Sequence, residues 1–158
     1  MLSNGAWTDL LGDWMTYTSN QVSPDLFRRW AGLALIAGAL ERRVWARVGD
    51  FQTFPNLYTL LVAPPGVGKQ VVETVQQFWS ETYQSGSASL PAFHVAPDSV
   101  TKAALIDTLA DSKRAFLPSV GSIYTYHSLL VAAEEFGVHL PSYDQEVIAN
   151  LNKISTNS

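Results

Sequence analysis

The most constraining stretch of this chain is Ala63-Pro64-Pro65-Gly66-Val67-Gly68-Lys69. Proline fixes the backbone and glycine frees it, so the stretch is a shaped turn that continues neither of its neighbours. Before it, Asn56-Leu-Tyr-Thr-Leu-Leu-Val62 is a short apolar run of the kind that forms a buried parallel strand. After it, residues 70–83 read as a helix. A small-residue turn that leaves a strand and enters a helix suits phosphate. Successive backbone N–H groups converge on the oxygens, the positive end of the helix stands behind them, and a lysine reaches the outer phosphates. On this reading Ala63, Pro64, Pro65, Gly66, Val67, Gly68, Lys69 and Gln70 bind the phosphates of a nucleotide. The plainer alternative is a Pro/Gly turn that only joins strand to helix.

Gln70 departs from the pattern. The motif asks there for Ser or Thr, whose short hydroxyl ligates magnesium. The carboxamide oxygen of Gln70 can bind Mg²⁺, but it lies two carbons further out and crowds a site that demands near-octahedral geometry. Phosphate binding is expected to survive this change, and magnesium-dependent hydrolysis is put in doubt.

A second motif follows the same logic. Leu129-Leu-Val-Ala-Ala-Glu134-Glu135 has the form of an apolar strand delivering acids at its carboxyl end. In such sites the first acid holds the magnesium and the second orients the attacking water. Glu134 is therefore a candidate metal ligand together with Gln70, and Glu135 and Lys69 are the candidate catalytic residues. Glu134 stands where Asp is more usual. The alternative is that both acids open a solvated helix or turn.

The rest of the chain supplies the frame. Ser23-Pro24-Asp25 is a helix start: hydroxyl N-cap, proline at the first helical position, acid in the first turn. The predicted helix runs to about Arg47, where Gly49-Asp50 ends it, and Gly38 is a candidate break. Residues 30–40 are small and apolar on every side, as in a helix buried between other elements. Residues 1–22 mix Trp7, Trp14 and Tyr17 with polar residues and are expected to dock through the aromatics. Residues 92–96 (AFHVA) form a second strand candidate, residues 99–109 a helix, and residues 122–133 a β-rich run up to the acids. Ser142 and Gln145 form a capping box that opens a helix to about Ile154. Strands alternating with helices predict an α/β fold with a parallel sheet.

Composition bounds what such a fold can do. A chain of 158 residues is one domain, and 47% hydrophobic residues with 15% charged are enough to bury a core. The chain has no cysteine, which excludes disulfides, thiol nucleophiles and thiolate metal sites and fits a reducing compartment. A net charge of −4 excludes a bulk basic footprint for nucleic acid. The first residues carry no basic region and no long apolar run, so neither a signal peptide nor a membrane span is expected and the expected address is cytoplasmic. On one continuous helix Arg28, Arg29, Arg42, Arg43 and Arg47 fall within an arc of about 140°, which Leu35 and Ile36 interrupt. They form either a DNA-facing stripe or solvated helix ends paired with acids. His94, His127 and His139 lack metal-ligand spacing and read as structural. Tyr124 and Tyr126 alternate like one face of a strand, and Ser128 lies in no nucleophile elbow.

With both motifs placed, the chain resembles a family of phage, prophage and plasmid P-loop ATPases, primase–helicase-like proteins of the RecA/AAA+ superclass. The matching words are Ser23-Pro-Asp-Leu-Phe-Arg-Arg-Trp30, Glu41-Arg-Arg-Val-Trp45, Pro55-Asn-Leu-Tyr58, Val62 through Lys69, Asp98-Ser-Val-Thr-Lys102 and Glu134-Glu-Phe-Gly137. The resemblance implies a three-layer α/β/α P-loop NTPase core, ATP and magnesium as ligands, and ATP-driven work on DNA during replication of a mobile element, as a ring. It implies the divisions 1–22 (aromatic segment), 23–50 (helical segment) and 51–158 (first half of the NTPase domain). Gly66, Gly68 and Lys69 would hold phosphates, Glu134 the metal and Glu135 the water. Family members continue into a sensor strand and an arginine finger, so the expected status is a fragment of a longer protein or a degenerate relative with little turnover of its own. The alternative function is a non-catalytic assembly or binding module that retains the fold and joins other subunits through the apolar helix of residues 30–40 and the aromatic N-terminus.

Overall fold

The computed structural model describes residues 9–97, 102–117 and 121–133. Trp7, Glu134, Glu135, His139 and the helix expected from Ser142 lie outside the described residues.

Three helices make the core. Helix α1, Leu10–Tyr17, starts at Asp9, whose carboxylate accepts from Gly12 N at 2.9 Å. The docking expected of this segment is made by Trp14, which is buried and donates its indole N–H to Arg28 O at 2.7 Å. Helix α2, Asp25–Leu40, meets α1 through Gly32. A Cβ on Gly32 would fall 2.4 Å from Trp14 Cδ1, so only glycine permits this approach. Helix α3, Val71–Trp79, buries Val71, Thr74, Val75 and Trp79, a spacing that lines one face. Trp14, Ala31, Val71, Val75 and Trp79 form the buried cluster, with Leu61, Phe78, Val95 and Leu130 half-buried around it.

Helix α2 is shorter than expected and less enclosed. It passes Gly38 without a break and stops at Leu40, because Glu41 turns the backbone to φ 50°. Trp30 and Leu33 remain exposed, so this is a one-sided helix and not one buried all round. The arginine stripe is consequently not formed. Arg28 is buried, ion-paired with Asp25 and bonded to Met15 O, while Arg42, Arg43 and Arg47 lie beyond the helix.

The parallel sheet is not formed either. Among the described residues the strands make three two-stranded antiparallel ladders: β1 (Ala46–Val48) with β2 (Phe51–Thr53), β3 (Thr82–Ser85) with β4 (Ala88–Pro91), and β5 (Lys113–Phe116) with β6 (Tyr124–His127). The three-layer P-loop core expected from the sequence is thereby corrected, among the described residues, to four helices and small hairpins, α4 being Lys102–Asp111. The cause is local turn chemistry. Gly49-Asp50 and Gly86-Ser87 each put a glycine at positive φ (62° and 63°) in the first position of a two-residue loop, which closes a hairpin between adjacent strands. Parallel pairing would need a long crossover to reach the same number of ladder bonds. Residues 54–64 run without joining a ladder, and among the described residues parallel contact is confined to a bridge between Val95 and Leu130. No helix among the described residues is long and apolar enough to cross a membrane.

Candidate phosphate site

The loop-to-helix half of the expected site is present, and the strand half is not. Residues 56–62 enter the loop as irregular chain, with Leu61 against the core and Leu57, Tyr58, Leu60 and Val62 exposed. Gly66 and Gly68 both take positive φ, 84° and 78°. The two glycines differ in setting. A side chain on Gly66 would meet nothing within 4 Å, whereas one on Gly68 would start 3.2 Å from Ser23 N and Val22 C. The loop is thus pressed on the backbone that leads into α2.

Helix α3 begins directly after the loop. Gln70 occupies its N-cap position in helical geometry and makes no side-chain cap bond, so its side chain satisfies none of the first-turn N–H groups. The N-terminal partial charge of α3 therefore faces the loop without a side-chain acceptor from Gln70. Lys69 is half-buried and, among the described residues, forms no ion pair. Gln70 itself is exposed. Ala63, Val67 and Gly68 are half-buried, and Pro64, Pro65 and Gly66 are exposed, so the loop presents its first turn to solvent.

The acid pair Glu134 and Glu135 is outside the described residues. The chain leading to it is placed: Gln76 Nε2 on α3 donates to Ala132 O at 2.9 Å, and Leu130 N donates to His94 O at 2.9 Å. Residues 130–132 accordingly run beside the helix that leaves the phosphate loop. Among the described residues there is no group of three or more His, Asp or Glu side chains that could hold a metal. His127 Nδ1 meets Leu109 O at 3.0 Å, a bond to backbone. Tyr124 packs edge-on to Phe116, its ladder partner, at 5.5 Å.

A second polar site was not anticipated from the sequence. Glu41 is buried, and its carboxylate accepts from Arg114 Nε at 3.2 Å and from the Tyr126 hydroxyl at 2.6 Å, with Arg43 at 3.6 Å. Arg114 also donates to Ala92 O. Burial, then the hydrogen bond to Glu41, pushes the Tyr126 phenol up to about 12. This cluster ties the end of α2 to the β5–β6 hairpin. The sequence offers only Glu41-Arg42-Arg43, inside the helix predicted to run to about Arg47, which says nothing about a partner more than 70 residues away.

Comparison with protein-family models, with curated proteins and with solved structures found no match to this chain.

Proposed function

We propose that residues 63–69 bind the phosphates of a nucleoside triphosphate, ATP by the resemblance, and that the chain is the nucleotide-binding part of a phage- or plasmid-type DNA-replication ATPase. The observation that supports this most is the sequence of two positive-φ glycines, a half-buried Lys69 with no ion pair among the described residues, and the N-terminus of α3, without a capping side chain, in one continuous segment. Such a segment offers backbone donors, a lysine charge and a helix dipole to one anion. The described residues fit phosphate better than magnesium. Gln70 has the only side-chain oxygen in the loop, and Glu134 and Glu135 remain the proposed acids. Little turnover is expected from such a site. Titration calorimetry tests the reading: Lys69→Ala is expected to weaken ATP binding at least about tenfold, the scale of a lost hydrogen bond to a charged group. Equal heats in parent and variant would remove it.

A second reading, a non-catalytic assembly module, is favoured by one specific observation. Val48, Phe51, Leu57, Tyr58, Leu60 and Val62 are all exposed within a short stretch of chain. Where such residues form a contiguous patch, the patch commonly marks an interface. The partner would be a second copy or further polypeptide, with DNA reached through the assembly. Sedimentation equilibrium distinguishes the cases: self-association that Leu60→Asp reduces supports the module, and a parent that is monomeric at all concentrations removes self-association as its role.

A further inference from the structure

Ser23 heads the Ser-Pro-Asp sequence that, on local rules, caps α2 with its hydroxyl. The hydroxyl does not do so. Pro24 holds the N-cap position, and α2 has no side-chain cap bond. Ser23 is 4% exposed, and its Oγ is buried without a hydrogen-bond partner. A buried hydroxyl in that state carries an uncompensated desolvation cost, and in native folds such atoms are explained by strain, by a functional role, or by a bound water or ion.

Its surroundings select among these. The Ser23 backbone N lies 3.2 Å from where a Cβ on Gly68, the second glycine of the phosphate loop and the neighbour of Lys69, would stand. Two residues earlier, Gln21 Nε2 donates to Thr74 Oγ1 in the first turns of α3 at 2.8 Å, and Gln21 Oε1 is likewise buried without a partner. Residues 21–23 therefore flank both the loop and the start of its helix.

We infer that Ser23 is a phosphate-binding residue, its hydroxyl donating to a phosphate oxygen held by residues 63–69. The inference rests on the nucleotide-binding reading of that loop. Ser23 adds, from the preceding segment, a hydroxyl donor to a loop whose own side-chain donors are Lys69 and Gln70. In the free chain Oγ is covered. A phosphate reaches it by parting the contact between Gly68 and Ser23, which the two flexible glycines permit.

The test uses ATP and inorganic pyrophosphate as probes, titrated into the parent, Ser23→Ala and Lys69→Ala, with thermal unfolding of each free protein. Ser23→Ala is expected to weaken both probes about tenfold, as for a lost hydrogen bond to a charged acceptor. Its thermal midpoint is expected to equal or exceed that of the parent, because the hydroxyl has no partner to lose. Parent-like affinity in Ser23→Ala, with affinity lost in Lys69→Ala, would overturn the role of Ser23 and leave the loop reading standing. A joint fall in affinity and thermal midpoint would also overturn it, since the hydroxyl would then serve the fold. Parent-like affinity in Lys69→Ala would remove the loop reading and this inference together.

Discussion

Trp14→Ala is expected to lower the stability of this fold by about 3–5 kcal/mol, the usual range for deleting a buried large aromatic. Trp14 is 5% exposed and stands where α1, α2 and α3 meet. Its indole N–H satisfies Arg28 O, and its ring lies edge-on to Phe78 at 5.9 Å. Removal leaves a cavity against Gly32, which has no side chain to refill it. Natural domains hold only about 5–15 kcal/mol in total, so the loss is a large part of what keeps the chain folded. Urea unfolding followed by circular dichroism measures it. A loss below about 0.5 kcal/mol, the range of surface substitutions, would mean that the three-helix core is not what stabilises the chain.

The second large effect is expected at Glu41. Breaking a buried ion pair by removing one partner costs about 3–5 kcal/mol, and partial exposure of Arg114 moves the expectation for Glu41→Ala to about 2–3 kcal/mol. Alanine meets the same positive-φ constraint as glutamate, so the difference reports the side chain and not the backbone. Glu41→Gly would relieve that constraint and recover part of the loss. A double-mutant cycle with Arg114→Ala isolates the pair, and additive effects would show that the contact contributes nothing. Tyr126 adds a dependence on pH. Its phenol is raised from 10.0 to about 12 in the folded chain, so the folded state favours the neutral form. That contribution is complete below pH 10 and is lost as pH rises through about 12. The thermal midpoint of the parent should fall over this interval more steeply than that of Tyr126→Phe. Parallel curves would contradict the arrangement.

Glu41 also explains where sequence reasoning lost the helix. Ser23-Pro24-Asp25 placed the start of α2 correctly to within the first turn, since the helix begins at Asp25. Its end was expected at Gly49-Asp50, the nearest local stop. The actual end is at Leu40, where the Glu41 carboxylate engages Arg114 and Tyr126. Those partners come from another part of the chain, and no local pattern names them. Gly49-Asp50 was read as a turn of the wrong kind: it closes the β1–β2 hairpin.

The same distinction separates the two halves of the candidate site. The glycines of residues 63–69 and the helix after them are local chemistry, and both were legible: Gly66 and Gly68 take positive φ, and α3 starts at Val71. The parallel sheet was not a local property. A short apolar run such as residues 56–62 tells that the chain can be extended but not what it pairs with. Here it joins no ladder, while nearby glycine turns close hairpins instead. The burial of Ser23 against Gly68 was equally out of reach, because Ser-Pro-Asp reads as a cap whatever packs on it.

The most direct measurement is the amide NMR spectrum of the chain titrated with ATP. Binding at the phosphate loop predicts the largest shifts at the amides of Gly66, Val67, Gly68, Lys69, Gln70 and Val71, saturating with added nucleotide and lost in Lys69→Ala. Shifts that are absent, or that centre on other residues and persist in Lys69→Ala, would contradict a phosphate-binding role for this loop.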